Sequence, residues 1–500
     1  MGAPMAAPSL PGSTLVARSF YSPSMLFPTV DFAIFFTLVF VGHWVLNHLA
    51  RPWKLFMIAA SYVFYAWWNV HFIWLLAGVT VIAQVGALAV ARQSDPKTRR
   101  AVMGIAVAAT FAPLFYFKYY GFFSLNTVNA MRALGLSASP PLIQVLLPVG
   151  VSFFTFMAVA YVVDVYRKDF APASWIDVFL YLSFFPHLVA GPIVRPSELI
   201  PQLDVRRDQR HLDVAGAAWL IFGGLFKKVV VSSFLASAIV DPVFGDPARH
   251  GAIEVLVAAY AYAIQIYADF SGYTDIAIGV AKLLGFEFPK NFDKPYSARS
   301  LQDFWRRWHM TLSRWLRDYL YIPLGGSQRG ERRTYVNILI TMILGGLWHG
   351  AAWTFVFWGA FHGTGQAVGA YKRKRRLERG EPALPDDPPR LIWLQRLATF
   401  NLVCLGWIFF RADSIGTAFA LLVRLITGWT GPVSLVTPLV LVTIAGMLAL
   451  QLSPVSPAEL IKDRFSTLRP ATMGAALALV LFLIMTMGPR GVAPFIYFQF

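Results

Sequence analysis

The sequence predicts an all-α protein, a polytopic membrane helix bundle of about ten to twelve spans with re-entrant and in-plane helices. Of its 500 residues, 57% are hydrophobic and 14% are charged, whereas a soluble domain usually contains about 25% charged residues. The mean hydropathy is +0.56. Apolar runs of about 20 residues, the length that crosses a bilayer, recur along the chain. A soluble protein is therefore excluded. The length of the chain indicates how many membrane helices it can form, and not how many soluble domains.

Runs that match the length of a spanning helix extend from residue 26 to residue 488. They lie near residues 26–50, 55–70, 71–91, 101–124, 142–164, 213–240, 253–284, 391–412, 433–452 and 471–488. Two shorter helices are expected on either side of residues 348–352. Residues 1–24 contain no sustained apolar segment before a small-residue cleavage site. We expect them to form a disordered tail, or to precede a true start at Met25, and residues 25–500 to form one domain.

The cysteine count and the charge balance narrow the function classes. Cys404 is the single cysteine, so disulfide frameworks, thiolate metal sites and dithiol redox pairs are excluded. We expect it to be a small core residue, and we predict no metal and no bound cofactor. The 43 Lys and Arg against 26 Asp and Glu give a charge of +17. Because the basic residues lie between hydrophobic runs, they indicate cytoplasmic loops and contact with an anionic lipid bilayer, and no nucleic-acid binding.

The basic loops also predict the orientation. They lie at residues 51–54, 92–100, 167–168, 195–210 and 372–376. If all of these are cytoplasmic, the N-terminus lies on the outer side of the membrane, and residues 175–193 enter and leave the membrane on the same face. Pro186 and Gly191 interrupt this stretch, which indicates a re-entrant segment beside protein or a water-filled cavity. A kinked span is the alternative. Residues 378–389 are predicted to form a solvated loop.

Two carboxylates lie inside one predicted span. A carboxylate at bilayer depth costs about 3 kcal/mol or more, so Asp269 and Asp275 must be paired or must face a polar cavity. Each is either a structural hydrogen-bond partner or part of a functional site. Six residues at 100° each place them on different faces of a helix. A catalytic pair made of these two carboxylates is therefore not expected.

Residues 304–322 are predicted to form one amphipathic helix in the plane of the membrane. One side carries Trp305, Trp308, Leu312, Trp315 and Tyr319, and the opposite side carries Arg306, Arg307, Arg314 and Arg317. His309 lies at the edge of the apolar side, toward the bundle, and is either a structural or a catalytic histidine. The arginines are either lipid-facing anchors or attract an anionic substrate from the cytoplasm.

His349 is predicted to lie deep in the membrane. It follows the cytoplasmic Arg333 by 16 residues, which is about 24 Å of helix in a hydrocarbon core about 30 Å thick. Gly346 and Gly350 allow the close approach of a substrate or of backbone. A buried imidazole tends to stay neutral, as a general base requires. Haem or metal ligation is the rival role, but no second histidine lies at the appropriate helical spacing, and His362 is at most a weak partner.

Four motifs resemble the membrane-bound O-acyltransferase family, and within it the alginate O-acetyltransferase branch of polysaccharide-modifying members. They are FFPHLVAGPI at 184–193, QIYADFSGYTDI at 265–276, WHMTLSRWLRDYLYIPLGG at 308–326 and LWHGA at 347–351. The resemblance extends from about residue 25 to the closing segment 493–500. It implies a transmembrane tunnel in which a donor and an acceptor meet. The membrane histidine of the family maps onto His349, and its more cytoplasmic polar position maps onto His309.

The resemblance implies a multi-pass enzyme of the bacterial inner membrane that takes an acyl group from a cytoplasmic thioester, acetyl-CoA or an acyl carrier. It also implies a separate periplasmic acetyltransferase partner of the Ser-Gly-Asn-His (SGNH) type, because this chain carries no soluble domain for a second transfer. The predicted catalytic residues are His349 and His309. The predicted substrate-binding residues are Asp269, Trp308, Arg306, Arg307 and Trp348.

A basic cytoplasmic rim, made of Arg306, Arg307 and the run 372–376, fits the phosphates of coenzyme A. Backbone amides at 345–346 or the Trp348 indole are candidate oxyanion donors. Alternatives inside the family are D-alanyl transfer to teichoic acid and O-acylation of peptidoglycan. The alternative from another class is a membrane transporter, which the absence of an internal repeat disfavours.

Overall fold

The described part of the chain is helical. In a computed structural model, the structure describes residues 25, 27–136, 146–382, 387–453, 463–465, 467–487 and 496, and within these ranges it contains helices and no strand. The helices are α1 (Val30–Leu46), α2 (Ala50–Trp68), α3 (Val70–Ala91), α4 (Pro96–Ala133), α5 (Val151–Arg167), α6 (Trp175–Ser183), α7 (Phe185–Leu188), α8 (Pro196–Leu203), α9 (Val214–Gly245), α10 (Ala252–Leu283), α11 (Leu301–Arg307), α12 (Met310–Leu316), α13 (Glu331–His349), α14 (Trp353–Glu378), α15 (Pro389–Arg411), α16 (Ile415–Thr427), α17 (Pro438–Leu452) and α18 (Pro470–Met487). The predicted tail 1–24 lies outside the described residues, as does most of 493–500.

The predicted all-α membrane bundle is confirmed. By length and composition, five of these helices, α3, α4, α9, α10 and α15, can cross a membrane. Shorter apolar helices include α1, α16 and α17. Large apolar side chains such as Trp74, Leu38 and Val442 point outward, with 76%, 69% and 67% of their surfaces exposed, which suits a lipid surface. Helix α16 was not predicted because its 13 residues are fewer than a spanning helix needs. The number of spans stays a prediction.

The helices around residues 348–352 are longer than predicted. Helix α13 has 19 residues and α14 has 26. The basic run 372–376, predicted as part of a loop, belongs to α14. Both helices carry charged residues at their outer ends. A search for apolar runs stops at these residues, although the backbone continues as helix. Beyond α14 the predicted loop begins at once, because Arg379 closes the helix and Gly380 has a φ of 75°.

Helices α13 and α14 form a tight antiparallel hairpin through glycines. A Cβ at Gly346 would overlap the carbonyl oxygen of Phe355, and one at Gly359 would overlap that of Met342. Small residues let membrane helices approach backbone to backbone. Gly346 and Gly350 were predicted to allow a substrate or backbone to approach beside His349. At Gly346 the backbone of α14 makes this approach. Gly350 instead faces the Phe355 ring, which any side chain at this position would overlap.

Helices α9 and α10 are joined by two ion pairs. The Lys227 Nζ lies 2.5 Å from Asp275 Oδ2, and Lys228 pairs with Asp269, whose other oxygen accepts the Ile496 amide at 2.9 Å. Both carboxylates are thus paired, as their depth required. Asp269 and Asp275 lie on different turns of α10 and pair with the consecutive residues Lys228 and Lys227 of α9. The two carboxylates therefore face separate lysines and form no common acid–base pair, as predicted.

The stretch 175–193 is interrupted and buried. Helix α6 ends at Ser183, the backbone turns at Phe184, and the four-residue helix α7 follows. The side chains from Phe184 to Ile193 are all buried. His187, inside this stretch, contacts the Tyr181 carbonyl oxygen through Nε2 at 3.0 Å. The break that Pro186 and Gly191 predicted is present, and it brings this segment against the loop that carries His309.

Candidate active site

The predicted in-plane helix 304–322 is not continuous. It divides into α11 and α12, and a π-helical turn follows at Arg317–Tyr321. The break falls at Trp308 and His309, and His309 has a φ of 42°, in the left-handed region that costs a non-glycine residue about 1 kcal/mol or more. The predicted apolar side does face the protein, since Trp305, Trp308 and Trp315 are all buried.

Asn291 holds the break open. Its backbone carbonyl accepts the Met310 amide at 2.9 Å. Its side-chain Oδ1 accepts the Thr311 amide at 3.3 Å and the Thr311 hydroxyl at 3.0 Å, and it lies 3.1 Å from His309 Nδ1. These contacts over-determine a backbone conformation that the local sequence does not favour. Sequence reasoning missed Asn291, because nothing in a loop of mixed composition marks one amide side chain.

The same contact sets the tautomer of His309. An oxygen that already accepts two hydrogen bonds faces Nδ1, so Nδ1 carries the proton and Nε2 carries the lone pair. The His309 side chain is fully buried, and among the described residues its Nε2 has no hydrogen-bond partner. A buried imidazole nitrogen with a free lone pair is ready to accept a proton or a hydrogen bond.

The four motifs converge on His309. The Ile193 amide, at the end of the first motif, donates to the Thr311 hydroxyl oxygen at 3.0 Å. Phe270, from the second motif, meets the His309 ring edge to face at 4.7 Å between centroids. Trp348, from the fourth, lies 5.8 Å from the same ring. Segments that are far apart in sequence thus enclose one histidine.

His349 is the last residue of α13 and is 3% exposed. Its ring packs nearly perpendicular to three aromatic rings, with centroid distances of 5.0 Å to Trp348, 5.1 Å to Trp358 and 5.1 Å to Phe410. Trp348 therefore contacts both predicted catalytic histidines. His362 lies behind Trp358, 4.9 Å from that ring, and Trp305 donates to its Nδ1 at 3.3 Å. It does not reach the site directly, as expected of a weak partner.

Two further residues reach this site from α4, and sequence reasoning missed both. The Lys118 Nζ donates to the carbonyl oxygens of Trp348 at 2.6 Å and of His349 at 3.0 Å. The Tyr119 hydroxyl donates to the Leu347 carbonyl at 2.9 Å. One lysine within an apolar run was the available signal, but a run with a single charge still fits the pattern of a spanning helix.

The predicted substrate-binding residues occupy different places. Trp348 lies between the histidines, and Trp308 is buried at the break. Asp269 is on the neighbouring helix, held by Lys228 and by the Ser232 hydroxyl. Arg307 bonds to Asp303 at 2.8 Å, whereas Arg306 is exposed. Of the basic rim, therefore, only part of the charge is left for an anionic ligand.

The amides at 345–346 do not suit the role of oxyanion donors. Gly345 and Gly346 lie inside α13, where each amide donates to the carbonyl four residues earlier. That expectation was wrong because the helix continues through the motif and ends only at His349. The Trp348 indole remains the candidate oxyanion donor. No group of three or more His, Cys, Asp or Glu that could hold a metal ion occurs in the residues that the structure describes.

Comparison with known proteins identifies the family. Residues 144–375 match the model of the membrane-bound O-acyltransferase family. A protein described as a probable alginate O-acetylase from Pseudomonas putida is 40% identical over 79% of this chain and 79% of its own length. The chain belongs to the membrane-bound O-acyltransferase family. The probable alginate O-acetylase of Azotobacter vinelandii is 38% identical over 79% of this chain and 77% of its own. The peptidoglycan O-acetyltransferase of Helicobacter pylori is 35% identical over 80% and 79%.

The family resemblance drawn from the four motifs is thereby confirmed, and the protein is a membrane O-acyltransferase. The matched range 144–375 contains both histidines, Trp348 and Asn291. Lys118 and Tyr119 lie outside it. Two residues of the candidate site, both on α4, consequently lie outside the range that the family model matches.

Proposed function

We propose that this O-acyltransferase takes an acetyl group from acetyl-CoA, or from an acyl carrier, on the cytoplasmic side. It then moves the group toward periplasmic hydroxyls, for O-acetylation of a cell-surface polysaccharide such as alginate. The observation that carries the proposal is the pair of buried histidines on either side of Trp348. In one of them, His309, the contact with Asn291 leaves the Nε2 lone pair free.

In the proposed reaction His349 acts as the general base. It removes the proton of the acceptor hydroxyl, and the resulting oxygen attacks the thioester carbonyl. A C–O bond forms and the C–S bond breaks, and the proton passes from His349 to the departing thiolate sulfur. The reacting hydroxyl gives its only proton to His349, so the lone pair of His309 Nε2 accepts a hydrogen bond from another donor group of the acceptor and orients it. The Trp348 indole is the proposed donor to the oxygen that gains negative charge.

The cytoplasmic rim is the proposed entry for the donor. Arg306 is exposed there, and Lys372 and Arg373 add charge on α14. Coenzyme A carries phosphates, for which Arg and Lys are natural partners. Within the run 372–376, Lys374, Arg375 and Arg376 pair with Glu331, Glu378 and Glu381, so we assign the attraction mainly to Arg306, Lys372 and Arg373. The proposed location is the bacterial inner membrane with a periplasmic N-terminus, as the basic loops predict.

The acceptor on the periplasmic side is proposed to be a separate SGNH-type acetyltransferase, which passes the group on to the polysaccharide. O-acylation of peptidoglycan is the second candidate, favoured by the 35% identity with the Helicobacter pylori enzyme. D-alanyl transfer to teichoic acid is the third. These candidates share the histidines and differ in donor and acceptor, and a transporter has no need of the family motifs.

The test is incubation of the purified protein with radiolabelled acetyl-CoA, with and without an SGNH-type partner, alginate or peptidoglycan. We expect label on the partner or on alginate, and a loss of about 100-fold in the His309→Ala variant. Label on peptidoglycan alone would favour the second candidate. Absence of transfer from acetyl-CoA, with transfer from a D-alanyl carrier, would overturn the acetyl proposal, and a fully active His309→Ala enzyme would remove His309 from the mechanism.

A further inference from the structure

The last turn of α13 ends on three carbonyls that the helix itself cannot satisfy. The final backbone bond of the helix runs from the Gly350 amide to the Gly346 carbonyl, at 3.4 Å. The carbonyls of Leu347, Trp348 and His349 follow, and a helix end provides no amide donors for them. Tyr119 bonds to the first, and Lys118 bonds to the second and third. Two consecutive residues of α4 therefore satisfy the whole end of the helix that carries His349.

A local change in α4 brings both residues to this end. Pro113 lies inside the helix and has no amide to donate, and a π-helical turn follows at Phe115–Tyr119. Turns of this kind alter the direction in which side chains leave a helix and occur frequently at functional sites. Here the turn directs Lys118 and Tyr119 at neighbouring carbonyls of α13.

The partners of Lys118 distinguish it from other lysines in the bundle. Lys54, Lys227 and Lys228 each pair with an aspartate. In the described part of the chain Lys118 forms no salt bridge, and its donors go to the two carbonyls and, at 3.5 Å, to the Ser152 hydroxyl. A cation is favoured at a helix C-terminus by the helix dipole. An ionisable group inside a membrane bundle is expensive and usually functional.

We propose that Lys118 is a positioning residue for the acyl transfer, acting through the end of α13. By holding the carbonyls of Trp348 and His349, it fixes the direction in which the His349 imidazole and the Trp348 indole leave the backbone. Tyr119 supports the same turn one residue earlier. The proposal rests on the proposed function, since it assumes that His349 reacts. Misplacement of a reacting group by about 1 Å can cost about 100-fold in rate.

The experiment compares Lys118→Met, Lys118→Arg and Tyr119→Phe in the full-length purified enzyme, with Lys54→Met as the matched loss of a paired lysine. For each, kcat, KM for acetyl-CoA and the melting temperature are measured. We expect Lys118→Met to lower kcat about 30-fold or more with KM within about threefold. Lys118→Arg, which can donate to both carbonyls, should stay within about fivefold of the wild type. Lys54→Met should lower the melting temperature and keep kcat within about threefold.

Wild-type kcat in Lys118→Met would overturn the proposal. If that variant fails to accumulate, Tyr119→Phe decides: a kcat lowered about threefold or more supports the proposal, and an unchanged kcat overturns it. A second readout needs no substrate. The rate at which diethyl pyrocarbonate modifies His349, followed by peptide mass spectrometry, should change about threefold or more in Lys118→Met, and an unchanged rate contradicts the proposal. An inactive wild type would refute the proposed function alone, and the modification rates would still decide the role of Lys118.

Discussion

Two regions of this bundle bury polar side chains in opposite ways. Between α9 and α10 each carboxylate meets an ammonium group, and Asp269 also accepts a backbone amide. Around Trp348, two histidines are enclosed by aromatic rings, and the His309 Nε2 has no hydrogen-bond partner among the described residues. The first region satisfies its charges internally. The second encloses an imidazole nitrogen with no hydrogen-bond partner in the described part of the chain, and we propose that this difference separates the structural polar contacts from the reactive ones.

The largest expected effect is at the reactive region. His349→Ala should lower acetyl transfer by about 10³-fold or more, because general bases contribute about 10² to 10⁴ and this one is proposed to act directly. The protein should insert and accumulate as the wild type does, since the change is confined to one side chain at the end of α13. Transfer from labelled acetyl-CoA and the amount of protein in the membrane are the two measurements. Wild-type acetylation in this variant would contradict the proposal that the histidine region reacts while the ion-paired region is structural.

The paired region should respond in stability. Lys228→Met leaves the Asp269 carboxylate buried without its ammonium partner, and a broken buried pair costs about 3–5 kcal/mol. We expect a lower melting temperature and less protein in the membrane. The double variant Lys228→Met/Asp269→Leu should recover most of the loss, since an apolar pair of similar volume is tolerated. An equally stable single variant would show that the ion pair does not hold α9 on α10.

A smaller effect on rate is expected at Asn291. Asn291→Leu removes the acceptor that holds the proton on His309 Nδ1. We expect a loss of about 10- to 100-fold in activity, by analogy with partners that orient metal-bound histidines. Asn291→Asp keeps the acceptor oxygens and should retain activity within about fivefold. The comparison of kcat between these two variants is the measurement. Equal losses in both would indicate a purely structural role for Asn291.

Much of the fold follows from apolar content, because a membrane helix must satisfy its backbone internally. Helix α10 and the need for its two carboxylates to be paired or to face a polar cavity follow on that basis, and both are paired. The same criterion failed for α13 and α14, whose charged ends continue the helix outside the apolar part. It failed for α16 because that helix is short. The length of an apolar run indicates how much of a segment lies in lipid. It does not indicate where the backbone hydrogen bonds of the helix end.

The sequence predicts which residues belong to the candidate site, but it does not predict how they are arranged. His309 and His349 could be named from motifs, and Trp348 belongs to one of them. The break at His309 could not be predicted, since amphipathic periodicity runs through it without interruption. It depends on Asn291, 18 residues earlier, and the end of α13 depends on Lys118, 231 residues away. Contacts between such distant segments arise from tertiary packing, which no local pattern records.

The glycine contacts of the hairpin between α13 and α14 bear on how the enzyme tolerates change. Because backbone meets backbone at Gly346 and Gly359, the position of His349 relative to α14 is set by main-chain contacts, which substitutions of outward-facing side chains leave in place. Outward-facing side chains such as Leu344, 44% exposed, are then free to vary. We therefore expect the proposed catalytic histidine to keep its place in the bundle in membranes of different lipid composition.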